Sequence, residues 1–164
     1  MRISIVILVI VSMLLVFSAG KSRRPQEETI DKTDKEIIDA IKYAYSLEEV
    51  LWDNDRKMKS KADVFNHFIK GFSEEKAKDL ANYFWMEDRD ESGEKVGMLR
   101  AGDSVLIIPD SVEVLSKSEE RAEALLKYKA VEEGPVTYKA HSVRVRLKKE
   151  NGIWKIYEAD ARRY

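Results

Sequence analysis

The chain has 164 residues, no Cys, two His, and 29 Lys and Arg set against 30 Asp and Glu. A chain without thiols has no disulfide staples, no thiolate catalysis and no Cys-based zinc or iron site, and two His are too few for an imidazole-rich metal centre. The charge balance excludes a general attraction to nucleic acid, so neither cofactor, metal nor nucleic-acid partner is expected.

The chain opens with Arg2 and an almost unbroken apolar run from Ile3 to Phe17, followed by Ser18-Ala19-Gly20 and then Lys21, Arg23 and Arg24. At about 1.5 Å per helical residue, residues 3–20 come within a few Å of a ~30 Å hydrocarbon core. The run therefore predicts membrane insertion, as a permanent anchor or as a signal peptide cut after Gly20, where small residues stand at the positions a signal peptidase reads. A lipoprotein signal is excluded because no Cys follows. Cations flank the run on both sides, and the short leading tail favours a cytoplasmic start with the rest of the chain sent across. The expected location is the cell membrane, single-pass, with the C-terminal domain extracytoplasmic, or secreted if the leader is cut.

Residues 21–32, KSRRPQEETIDK, are polar and hold Pro25, which reads as a tether ahead of one domain at 33–164. The order Thr33-Asp34-Lys35-Glu36 matches a capping box, and Ile37, Ile41, Ala44, Tyr45 and Leu51 recur at helical spacing as far as about Trp52. In ADVFNHFIKGF, Val64, Phe68 and Phe72 fall one turn apart, predicting a short second helix that ends near Gly71 with His67 off its apolar face and exposed. Ser73 then caps SEEKAKDLANYFW, whose Ala77, Leu80, Ala81 and Phe84 share one side.

MEDRDESGEK reads as a solvated acidic loop, without the twelve-residue register of a calcium site. Beyond it the period changes to 2. Strands are expected at about 96–100, 104–108, 112–116, 121–131, 136–148 and 153–161, the last two joined by an Asn151-Gly152 hairpin turn. Helices ahead of an antiparallel meander predict an α+β domain with three helices packed on a curved sheet.

This element order, closing in VRVRLKKENGIWKIYEADA, resembles the cone-shaped domain of the nuclear transport factor 2-like superfamily over about residues 33–162. A cystatin-like sheet is the neighbouring alternative. The resemblance implies a pocket or a docking sheet and no particular chemistry, because members include small-molecule enzymes, binding domains and membrane-tethered parts of secretion machines.

Strand parity defines the candidate sites. His141 shares a face with Val143, Val145 and Leu147, while Glu158 and Asp160 continue the face of Trp154 and Ile156, so a His and a carboxylate on adjacent strands would offer an acid-base pair inside the cone. A bulge near His141 and Ser142 would instead turn the imidazole to water. On the opposite face, Arg144 and Arg146 with Tyr138 and Lys148 form a cationic stripe suited to an acidic partner, and Trp85, in a run of three aromatics, is a candidate contact ring. The expected function is a non-catalytic binding or assembly module at the cell surface, with a protein partner or self-association. The alternatives are an acid-base enzyme or ligand carrier using the interior, and a regulator or inhibitor of cell-wall enzymes.

Overall fold

A computed structural model describes residues 31–100, 104–131, 137 and 139–160. The apolar run 3–20, the cut after Gly20, the tether up to Ile30 and Tyr138 lie outside them. No helix among the described residues is long and apolar enough to cross a membrane.

Helix α1 spans Lys32–Asp53, and its cap is Asp31 rather than Thr33. The Asp31 carboxylate accepts from the Thr33 amide at 2.9 Å, and a charged oxygen suits the positive end of a helix better than a hydroxyl two residues further in. Lys117 clamps the same turn by pairing with Asp31 and Asp34, each at 2.7 Å. Helix α2, Lys61–Phe68, starts on Ser60 and stops short of Gly71. The chain leaves the helix because Phe72 bridges in parallel to Ile156: Ile156 N donates to Gly71 O at 3.1 Å, and Ser73 N donates to Ile156 O at 2.9 Å. Helix α3, Glu74–Phe84, is capped by Ser73 and buries Ala77, Leu80, Ala81 and Phe84, the face the spacing predicts.

The acidic stretch after α3 is a hairpin instead of a loop. Strand β1, Trp85–Arg89, pairs antiparallel with β2, Lys95–Leu99. The intervening turn closes on the Asp90 carboxylate, which accepts from the Ser92 and Glu94 amides, and on Gly93 at φ 86°. A side chain at position 97 would overlap the Trp85 ring, so glycine there is what lets the indole lie on β2.

Strands β3 (Ser111–Lys117), β4 (Arg121–Tyr128), β5 (His141–Glu150) and β6 (Ile153–Asp160) form an antiparallel sheet in chain order. Asn151 and Gly152 take φ 52° and 81°, the left-handed pair that a two-residue hairpin turn needs. The strand expected at 104–108 does not form. Helix α1 touches both edge strands, β3 and β6, and α3 packs on β6. Between the layers Phe68 stacks on Phe84 at 5.2 Å and meets Phe72, and the sheet contributes Leu126, Val145, Leu147, Trp154 and Ile156. Among the described residues the domain is α+β, three α-helices with a two-stranded and a four-stranded antiparallel sheet.

His67, expected at the surface, is buried, because its ring donates from Nε2 to the Leu47 carbonyl at 2.6 Å and so finds a partner inside the helical layer. Burial holds its pKa below the ordinary imidazole range, with Lys70 adding to the effect and the Leu47 bond opposing it. The unfolded chain thus takes up this proton at higher pH than the folded one, and the stability His67 contributes above about pH 6.5 is lost as the pH falls. The urea midpoint should drop between about pH 7.5 and pH 5 and drop less in His67→Gln, which keeps a donor without a titrating ring. Equal slopes would show that other groups govern this range.

Candidate functional site

Where α1, α3 and the start of β5 diverge, the core leaves a cavity of about 250 Å³. Tyr45 reaches it from α1, Leu80 and the half-buried Lys76 from α3, and Tyr128, His141 and Val143 from the sheet. Phe72 and Ala159 line it from the seam and from β6. Its remaining wall is residues 105–107, part of a strap that runs from Ser104 to Asp110 outside any strand.

The strap is held by a buried carboxylate. Glu48, 3 % exposed, extends from α1 and accepts from the Val105 amide at 3.0 Å and the Leu106 amide at 2.6 Å. Its far end is tied separately, Asp110 N donating to Lys127 O at 3.1 Å. With its amides taken by a side chain, the strap has none to offer a neighbouring strand at those two positions, which is why a β-rich sequence forms no strand here. Leu106 packs toward the core, whereas Val105, Ile107 and Ile108 are exposed.

The polar end of the cavity is built from three rings. Tyr128 and His141 face each other across the β4–β5 ladder and stack with centroids 4.7 Å apart and planes 10° from parallel. Tyr45 and Tyr128 both line this end of the cavity. Burial pushes the Tyr128 phenol up to about 12 and Tyr45 higher still, so both stay protonated at any physiological pH. His141 Nδ1 lies 3.1 Å from the Lys139 carbonyl, which can only accept, so this nitrogen carries the proton and Nε2 is left for another partner.

Glu158 and Asp160 are not beside His141. A bulge in β6 pairs Arg146 with Glu158 and Leu147 with Ile156, so Tyr157 is an extra residue and the parity of β6 reverses. Trp154 and Ile156 point into the core, whereas Glu158 and Asp160 turn to the outer face. The bulge lies at this position and not at His141, since β4 and β5 stay in register from Tyr128–His141 to Arg121–Lys148.

On that outer face the two arginines are paired. Arg144 meets Glu123 at 3.0 Å, and Arg146 reaches Glu158, Glu123 and Asp160. Lys148 pairs with Glu150 at 2.8 Å. Two cations against three carboxylates do not make the cationic stripe expected from alternation alone. Replacing Arg144 and Arg146 together by Glu should therefore lower the denaturant midpoint at low salt, with part of the loss restored in molar salt, which screens like charges. A midpoint unchanged at both ionic strengths would mean that these pairs contribute nothing to the fold. Trp85 is 8 % exposed within the core, so the exposed ring of the aromatic triplet is Tyr83, with Arg100 stacked 5.6 Å from its centroid.

The sequence held a signal for Glu48 that the pattern of apolar residues hides: it stands in the stripe Ile41, Ala44, Tyr45, Leu51, where a carboxylate needs a buried partner. Tyr45 and Tyr128 gave none, since an aromatic in a stripe or a strand reads as core. No three residues among those described are grouped to hold a metal ion. A wider hollow of about 440 Å³ on the outside of α2 and α3 is lined by Ala62, Phe65, Ala81 and lysines, without the converging hydroxyls and imidazole of the inner cavity. Neither the models of known protein families nor the curated proteins give a match to this chain.

Proposed function

We propose that the chain is a membrane-tethered, extracytoplasmic, non-catalytic binding domain of the nuclear transport factor 2-like type, and that it binds through the inner cavity. The reading of the fold is supported by three helices preceding the strands and by α1 touching both edges of the four-stranded sheet, as a sheet wrapped into a cone would allow. Export and tethering are read from the apolar run 3–20.

The observation that carries the binding reading is an apolar cavity in which a few polar groups converge at one end, the Tyr45–Tyr128–His141 cluster. At about 250 Å³ it lies just below the range that holds drug-sized ligands, which suits a small molecule or one large side chain of a protein partner. The carboxylates expected to pair with His141 as acid and base are those of β6, and they lie on the outer face.

The test uses the full chain in lipid nanodiscs with labelled Val and Leu methyl groups. Small apolar compounds that bind should move the methyl signals of Leu80, Leu106 and Val143 and leave those of Val50 and Leu115 in place. Compounds that move only the second pair would refute the site. A reporter active only outside the cytoplasm, fused after Tyr164, should be active; activity confined to a cytoplasmic reporter would refute the topology.

A further inference from the structure

We infer that the cavity selects a small apolar molecule carrying one negative charge, such as a short aromatic or branched aliphatic carboxylate. This rests on the reading of the cavity as the binding site and adds the chemistry of what enters it.

The argument starts from what lines the cavity. Its walls are apolar: Phe72, Leu80, Val143 and Ala159, with Val105 and Leu106 of the strap. They favour a hydrocarbon body and give a strongly polar ligand nothing to bond. The one charged side chain among the described lining residues is Lys76, half-buried on the first turn of α3, and its ammonium makes no ion pair among those residues. Among the described residues no carboxylate of α3 lies within ion-pair distance of it, and Glu74 is engaged with Lys78 at 2.6 Å. A half-buried cation without a carboxylate beside an apolar hollow gains most from a ligand that supplies the anion.

The polar end agrees in sign. Tyr45 and Tyr128 both line the cavity, and burial keeps their phenols protonated, so a phenol hydroxyl stands there as a donor. A carboxylate can accept from that hydroxyl. Glu48, the carboxylate that holds the strap, is not among the described lining residues and has its oxygens on the Val105 and Leu106 amides. The described lining thus has a hydroxyl donor and a cation and no carboxylate, so an ammonium ligand finds no counter-charge there.

The test titrates 4-fluorocinnamate, 4-fluorocinnamyl alcohol and 4-fluorocinnamylamine into the full chain in nanodiscs, with empty nanodiscs as the blank. Binding is read from the fluorine signal and from the ring signals of labelled His141, with His67 as the internal control. The acid should bind about tenfold more tightly than the alcohol and the amine should bind weakest, the size expected of one charge-assisted hydrogen bond. The His141 signals should shift and those of His67 should not. In Lys76→Gln, a change on a partly exposed helical turn that leaves the core alone, affinity for the acid should fall about five- to tenfold while that for the alcohol stays. If acid and alcohol bind alike and Lys76→Gln moves neither, the anion preference is wrong and the cavity reading stands. If no probe shifts His141, the cavity reading fails and this inference with it.

Discussion

Replacing Glu48 with Ala is expected to cost about 2 to 3 kcal/mol of stability, because it leaves the Val105 and Leu106 amides without their acceptor in a partly buried position. Water that reaches the strap recovers some of this, which keeps the cost below that of two orphaned donors in a sealed core. The structural effect should be larger than the energetic one. The strap is tied at Asp110 and held near its start by this carboxylate, so residues 105 and 106 should detach while the sheet stays folded. Amide exchange at 105 and 106 should rise steeply, with exchange in β4 and β5 unchanged. Glu48→Gln should lie between wild type and Ala: one side-chain oxygen still accepts, while the new amide opposes a backbone donor. Exchange that rises equally across the domain in Glu48→Ala would mean that the carboxylate supports the whole fold and not the strap.

Gly71→Ala should be about as damaging, near 3 kcal/mol, for a different reason. A Cβ at Gly71 would sit 2.8 Å from both the Cα and the Cβ of Ala44 and 3.1 Å from a Leu47 methyl. Ala44 is fully buried in α1, so what must give is backbone, either α1 or the segment 71–73. That segment is the seam that ties the helices to β6 through Ile156, and moving it off strains both of its hydrogen bonds. The comparison variant is Gly93→Ala: the backbone has φ 86° and nothing lies within 4 Å of the added methyl, so only the turn's conformational cost of about 1 kcal/mol applies. Equal losses in the two variants would show that the Ala44 contact relaxes at no cost.

The helices were legible because one signal, apolar spacing, decides them. Ala77, Leu80, Ala81 and Phe84 bury as their period requires, and the Asn151-Gly152 turn takes the dihedrals its residues favour. The losses occur where a single residue overrides a period. Tyr157 adds one residue to β6 and sends Glu158 and Asp160 to the outer face, and nothing in the alternation of the strand announces it. Glu48 takes two amides from a segment whose Ser-Val-Leu-Ile-Ile composition is that of a strand. In β1 the charged Glu87, Asp88 and Arg89 stand in succession on a hairpin exposed on both faces there, and reading charge as loop misses a turn that Asp90 and Gly93 specify. His67 follows the same logic, since a polar ring enters a core when a carbonyl such as that of Leu47 stands in its path.

The candidate site was half legible. Parity offered His141 an inward position with a bulge at His141 and Ser142 as the alternative, and the stacking of Tyr128 on it follows from the β4–β5 register, which sequence spacing does not fix. The outer arginines were visible as an alternation but not as partners of Glu123, Glu158 and Asp160, because those contacts cross strands.

The account stands on the inner cavity and its strap being where the native partner or ligand sits, and hydrogen exchange tests this without knowing the occupant. Exchange of the full chain in its native setting, a membrane under the proposed tethering, is compared with that of the same chain purified into nanodiscs. If the cavity is occupied in the native setting, peptides covering 104–110 should exchange more slowly there than after purification, with β1–β2 and β3 unchanged. Identical exchange of the strap in the two states, with protection instead on the β1–β2 hairpin or the β3 edge, would contradict the account and move the binding surface to the outside of the domain.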